Sequence, residues 1–250
     1  MKELKDLDVE WSMAKTIEIL NKALEKIELE PSGKGAKIKG KGDFDELFAL
    51  IQTKIAEAEE YYWRPVDDPK IYSRMQEISK ALDNKELAEE YGKKIGEMEA
   101  DKWEFEARLQ NFYGNNIKAL EFYNKALECL PDMEDAQKGK KSTEKKITKA
   151  EKDLPKLEDN VKKKPEDAAL WIKMGIAQAD LGNVDDALSS FEKAVGIAPD
   201  NPDAWVRKGF ILALQGDFKS AMECCEKTLE LNPNSMLAKR GRNYAEAHLD

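Results

Sequence analysis

Few side chains in this sequence of 250 residues are equipped for covalent chemistry. A histidine-based nucleophile triad and an HExxH zinc site both need histidine set among partner groups, and the one histidine here is His248. Catalytic carboxylates work as pairs in a dry pocket that separates their pKa values, whereas Glu89-Glu90 and Asp185-Asp186 read as solvated helix faces or turns, and Asp67-Asp68 as a helix cap. Cys129, Cys224 and Cys225 make no disulfide framework. Adjacent Cys224 and Cys225 point to different faces of a helix, which disfavours a metal site, and a buried thiol behaves as a small hydrophobe. Gly35, Gly40 and Lys41 have the spacing of a phosphate-binding loop, but Gly42 stands where the magnesium-binding Ser or Thr belongs, and helices, not a buried strand, are expected on both sides. The sequence predicts no catalytic residue, no metal and no cofactor.

The elements that would position any other kind of site follow a ruler. Trp103, Trp171 and Trp205 are separated by 68 and 34 residues. Gly114, Gly182 and Gly216 keep the same period, as do Ala119, Ala187 and Ala221, and Pro131, Pro165, Pro199 and Pro233. A fixed period of about 34 residues is the mark of a stacked helix-turn-helix solenoid. Small residues at Gly175, Ala187 and Ala194 let two antiparallel helices approach, and Phe191 fills the space between repeats. Asn201-Pro202 offers a cap side chain and a proline at the first helical position. The repeating columns are therefore expected to be core, and function must sit at the columns that vary.

At Trp171, Gly175, Ala187, Phe191, Ala194 and Pro199 the chain resembles the tetratricopeptide repeat (TPR) family. The next copy keeps Trp205, Gly209, Gly216, Ala221 and Pro233, with Cys225 in the aromatic column and Thr228 where Ala194 stood. An earlier copy keeps Trp103, Gly114, Ala119, Tyr123, Ala126 and Pro131, with Ala107 for the first glycine. Between them, Glu134 to Asp167 has the right length, yet Gln137 and Lys141 occupy the tryptophan and glycine columns. The resemblance covers about residues 69–250 and implies an all-α, right-handed helix-turn-helix superhelix. The expected division is a helical region at 1–68 with a flexible Gly/Lys loop at 31–42, a divergent and a better repeat at 69–133, a degenerate repeat or lysine-rich spacer at 134–167, and two repeats with a carboxy-terminal capping helix at 168–250.

Ahead of the repeats the chain still reads as helical. Leu4, Leu7, Trp11, Ala14, Ile17, Leu20, Leu24 and Ile27 form one apolar stripe. Phe44, Leu47, Phe48, Ile51, Ile55, Ala58 and Tyr62 form a second, opened by Asp43 and Glu46 in capping-box spacing. Asp68-Pro69 caps a third helix carrying Ile71, Met75, Ile78 and Leu82, and after Asp83-Asn84 a fourth carries Leu87, Tyr91 and Ile95. The cluster Tyr61-Tyr62-Trp63 sits at a helix end beside Arg64-Pro65. The loop lysines Lys34, Lys37, Lys39 and Lys41 offer weak contact to an acidic surface.

Charge narrows the partner. The formal net charge is −9, which argues against a general nucleic-acid binder. Gln137 to Lys164 nevertheless holds eleven lysines against five acids, read either as a solvated face or as a basic patch for an acidic partner. The charged amino-terminal sequence, the absence of a membrane-length apolar run and the cysteine usage predict a soluble, cytoplasmic protein.

In the TPR family the first helix of each repeat lines a concave groove that receives an extended peptide or a helix, so the resemblance implies a non-enzymatic interaction adaptor or assembly factor. Carried over by the ruler, the groove would present Ile172, Lys173, Ile176, Val206, Arg207, Phe210, Arg240 and Tyr244, with Glu104, Arg108, Asn111 and Leu237 alongside. An apolar stripe flanked by Lys173, Arg207 and Arg240 suits a partner with apolar anchors and an acidic group. TPR co-chaperones clamp the acidic carboxyl terminus of Hsp70 or Hsp90, but here Ile172, Ile176, Arg207, Leu237 and Gly241 fall in the clamp columns, so a co-chaperone role would need another mode of binding. An RNA- or ribosome-associated role through the lysine-rich stretch is the other alternative, and self-association stays open.

Overall fold

The computed structural model describes residues 13–32, 35–38, 44–62 and 68–249. Expectations for Leu4, Leu7, Trp11, Asp43 and Trp63 to Asp67, and for Lys34 and Lys39 to Gly42, fall outside them. The chain divides into two compact units, residues 1–99 and 100–250. Among the described residues there are eleven helices and one two-stranded sheet, and no helix is long and apolar enough to cross a membrane.

The first unit holds α1 (Met13–Leu24), β1 (Leu29–Ser32), β2 (Gly35–Ile38), α2 (Phe44–Tyr62), α3 (Pro69–Ala81) and the start of α4 (Lys85–Tyr113). The predicted stripes meet in its core, where Leu20, Ile51, Ile71, Met75 and Ile78 are buried. Asp68 caps α3 by accepting from the Lys70 amide at 2.9 Å, and its other oxygen takes a 2.8 Å bond from Asn21 Nδ2.

Two expectations are corrected here. The flexible loop at 31–42 is in part an antiparallel hairpin, with Leu29 opposite Ile38 and Ser32 opposite Gly35; Gly35 thus opens a strand instead of cradling a phosphate. The helix carrying Leu87, Tyr91 and Ile95 does not stop before Ala100. It runs on through Trp103 to Tyr113, because Glu97-Met98-Glu99-Ala100 are strong helix formers and no proline interrupts them.

The second unit holds the rest of α4, then α5 (Asn116–Cys129), α6 (Glu134–Lys163), α7 (Ala168–Asp180), α8 (Val184–Ile197), α9 (Pro202–Leu214), α10 (Phe218–Leu231) and α11 (Met236–Glu246). Helices pair where the ruler placed them, and the reason is visible at the turns. Gly114, Gly182 and Gly216 all have positive φ, +91°, +79° and +82°, a backbone state open to glycine and costly for L side chains. The same column in the intervening stretch is Thr148, a β-branched residue barred from that turn.

The chain therefore goes straight on, and α6 is one helix of 30 residues instead of a degenerate hairpin. Its buried positions Thr143, Ile147, Ala150 and Val161 and the partly buried Leu154 and Leu157 advance by four and three in alternation, so a single apolar seam crosses Thr148 without losing phase. Gly139 lets this helix lie directly on the Tyr123 ring, where any Cβ would collide.

The tryptophan and proline columns are tied together. Trp171 Nε1 donates to the Pro165 carbonyl at 2.7 Å and Trp205 Nε1 to that of Pro199 at 2.8 Å. Across the helix pair, Lys193 covers Trp171 at 4.2 Å from the ring centroid and Lys125 covers Trp103 at 4.8 Å, the same spacing in two repeats. The ruler thus records packing.

Candidate functional site

The second unit carries two adjoining cavities of about 360 and 340 Å³. Both are lined by Lys149 of α6 and by Ile176 and Asp180 of α7. The first adds Asp153, Lys156 and Leu157 from α6 and Lys173 from α7. The second adds Phe112 and Tyr113 at the end of α4, Lys146 of α6, Arg207 and Phe210 of α9, and Leu237 of α11.

The predicted groove residues are placed differently, and Phe210 is both buried and part of the second cavity's wall. Ile172, Val206 and Phe210 are buried. The Phe210 ring lies 5.0 Å from Phe112 and 5.3 Å edge-on from Tyr113, and Tyr113 in turn lies 4.9 Å from Tyr244. The end of α4 thus fills the part of the concave face that the stripe would have offered, and Tyr244 is half-buried, with Phe218 and His248 stacked around it. Arg240 is exposed and lines neither cavity. Lys173, Ile176 and Arg207 do line the cavities.

Of the residues set beside the stripe, Asn111 and Leu237 line the second cavity. Glu104 is buried next to Arg108, and burial raises its pKa. Asn111 is held by polar contacts: its Nδ2 donates to Thr143 Oγ1 at 2.8 Å, and its Oδ1 accepts from Lys146 Nζ at 3.2 Å.

The lysine-rich helix was not placed at this groove by its sequence, yet Lys146, Lys149 and Lys156 of α6 face it. The signal was present in the seam: these three flank Ile147, Ala150 and Leu157, so they border the buried face instead of pointing fully away from it. Some surface lysines are matched within their own helices, as Lys125 with Glu121 and Lys138 with Glu134 at 2.7 Å. Among the described residues, Lys146, Lys149, Lys156 and Lys173 form no ion pair. Arg207 is engaged, its Nε donating to Asp203 at 2.9 Å. The cavities therefore join apolar wall to four lysines and Arg207, with Asp153 and Asp180 set among them.

Asp180 stands between the two cavities. Its Oδ1 accepts a 2.7 Å bond from Nδ2 of the fully buried Asn116. Burial pushes its carboxyl up to about 6, against the opposing pull of Lys146, Arg207 and Lys149. No group of metal-ligating side chains occurs among the described residues, and Cys224 and Cys225 are thiols raised to about 11 by burial.

Family models described as "Tetratricopeptide repeat" match residues 168–201 and 202–235. A comparison with curated proteins returned no match. Among solved structures, the chain is similar to the MamA protein at 19% identity, covering 63% of this chain and 82% of that one with a TM-score of 0.40. It is similar to YrrB, a TPR protein with an unusual peptide-binding site, at 21% identity, 76% and 97% coverage and a TM-score of 0.38. The first TPR of Spaghetti (RPAP3), bound to an HSP90 peptide, matches at 18% identity, 61% and 94% coverage and a TM-score of 0.34.

Proposed function

Residues 168–235 are tetratricopeptide repeats, and from that premise we propose that this chain is a non-enzymatic protein-interaction adaptor or assembly factor. Its partner segment, a peptide or helix with acidic side chains beside apolar anchors, occupies the two cavities between α6, α7 and α9. One observation carries the reading: Lys146, Lys149, Lys156 and Lys173, none of them ion-paired among the described residues, converge on cavities walled by Ile176 and Leu157. Exposed basic residues left without acids attract an acidic ligand over a Debye length and fix its register. Lys173, Ile176 and Arg207 remain the binding residues of the repeats themselves, joined by the lysines of α6. Ile172, Val206 and Phe210 support the floor, and Tyr244 and Arg240 contribute at the carboxy-terminal edge. A cytoplasmic location belongs to the same reading, supported by three cysteines outside any disulfide.

The test uses a fluorescein-labelled dodecapeptide alternating leucine and glutamate, with its leucine/lysine counterpart as control. The acidic peptide binds the protein and the basic one does not. Lys146→Glu with Lys149→Glu weakens binding by about tenfold or more, equivalent to about 1.4 kcal/mol, and added salt reproduces part of the loss. A co-chaperone role predicts that an acidic Hsp90-tail peptide competes. Single-stranded RNA binding more tightly than the acidic peptide, and losing affinity with the same variants, would replace the protein partner by an RNA. Equal binding of both peptides would remove the charge argument.

A further inference from the structure

Resting on that reading of the groove, we propose that Asp180 takes up a proton when an acidic partner segment enters, so that binding is coupled to hydrogen-ion uptake and tightens as the solution becomes more acidic. The geometry makes Asp180 the obligate neighbour of any ligand carboxylate, because it lines both cavities at their junction. It cannot swing aside freely, since Asn116, with no solvent exposure, holds its Oδ1 at 2.7 Å.

The groups around it come from every element that packs there. From α6 come Lys146 and Lys149, with Asp153 and Lys156 farther along the first cavity; α7 supplies Lys173, and α9 supplies Arg207. From α4 comes the Tyr113 phenol, kept neutral by burial, and from α5 the uncharged Asn116. The side chains contributed by α8 and α11 are Phe191 and Leu237, neither of them titratable. The cations nearest Asp180 are thus the ones a ligand must share with it.

Two carboxylates in one partly dry site cannot both remain ionised without cost; the presence of one raises the pKa of the other. Burial already pushes Asp180 up to about 6, so the incoming charge shifts a group that is near its titration range. The sign follows from linkage: if the bound state holds the proton more tightly than the free state, observed affinity is greatest below the free-state pKa. It declines by up to tenfold per pH unit until the bound-state pKa is passed.

The experiment measures affinity of the leucine/glutamate dodecapeptide between about pH 5.5 and 8 at constant ionic strength. Calorimetry near pH 6.8 in PIPES and in ACES, buffers with different ionisation heats, counts protons directly. Wild-type protein binds three- to tenfold more tightly at the acidic end, and its binding heat differs between buffers in the sense of proton uptake. Asp180→Asn keeps the peptide, flattens the pH profile and binds more tightly than wild type at pH 8, because the neutral amide removes the repulsion at all pH values. A wild-type affinity that does not vary with pH, with equal heats in the two buffers, overturns the role of Asp180 and leaves the groove reading standing. Failure of wild type to bind the peptide at any pH overturns the groove reading itself. If Asp180→Asn does not fold, the buffer comparison on wild type decides alone.

Discussion

Three glycine-to-alanine substitutions in the second unit separate the contribution of helix propensity from that of close packing. Each replaces a glycine inside a helix, and each gains about 1 kcal/mol of intrinsic helix stability. At Gly196 of α8 an added Cβ meets nothing within 4 Å, so the gain survives and the variant is stabilised by about 0.5 to 1 kcal/mol. At Gly175 of α7 the same Cβ would sit 2.7 Å from Phe191 Cε1 and 2.9 Å from Cζ. Comfortable carbon contacts lie near 3.5 to 4.0 Å, and Phe191 is itself only 2% exposed. Overpacking of this kind costs about 2 to 3 kcal/mol, leaving a net loss of about 1 to 2. Gly209 of α9 is intermediate: its Cβ would stand 3.0 Å from Cys224 Cβ and 3.1 Å from the Ala221 carbonyl, contacts that small backbone shifts relieve, and the net change is within about 1 kcal/mol of zero. Urea melts followed by tryptophan fluorescence read the order as midpoints at constant slope. A Gly175→Ala midpoint at or above that of Gly196→Ala would refute the claim that the glycine column exists to seat Phe191.

Other outcomes follow from burial. Trp171→Ala costs about 3 to 5 kcal/mol, whereas Trp205→Ala costs about half as much, because Trp205 is only half-buried; equal losses in denaturant melts would contradict the packing described. Phe210→Ala lowers stability by about 3 to 5 kcal/mol, since its ring is enclosed by Phe112 and Tyr113, while Tyr244→Ala costs less, and thermal melts distinguish the two. With Ellman's reagent at pH 8, half-buried Cys129 reacts before Cys224 and Cys225, whose buried thiols are pushed up to about 11; early modification of the adjacent pair would show that α10 opens. Limited trypsinolysis spares the stretch from Lys138 to Lys163, because it is a continuous helix packed on α5 and α7, and first cuts there would indicate a weak joint.

The helix pairs of residues 168–235 were legible because their packing columns recur and each column has one physical job: Trp171 and Trp205 reach back to a proline carbonyl, and Gly182 and Gly216 turn with positive φ. The straight course of α6 depended on what Thr148 cannot do, a negative signal that the composition of the lysine-rich stretch obscured. The merger of two helices into α4 depended on the absence of any stop between Ile95 and Trp103. The cover over Phe210 could not be read from periodicity, since Phe112 and Tyr113 lie roughly a hundred residues away in the chain, and such closure is a tertiary event that local patterning does not encode. Of the residues named from the ruler, Lys173, Ile176, Arg207 and Phe210 lie in the walls of the two cavities. The lysines that join them were seen as a charge run, and only the phase of the α6 seam decides which of them face inward.

An unbroken α6 also changes the parity of the array. A hairpin returns the chain to its starting direction, but one continuous helix in its place leaves α7 running the same way as α5, opposed to α4. The carboxyl ends of α4 and α7 consequently point toward each other, as the approach of Gly114 to Ala179 and of Asn116 to Asp180 records. The last carbonyls of both ends are taken up by the turns that follow, Gln110 by the Asn115 amide and Gln178 by the Asn183 amide, and α5 and α8 start beside them with dipoles of the opposite sense. The charge of the cavity wall at this junction is therefore set by side chains, with Lys146, Lys149 and Arg207 gathered around Asp180.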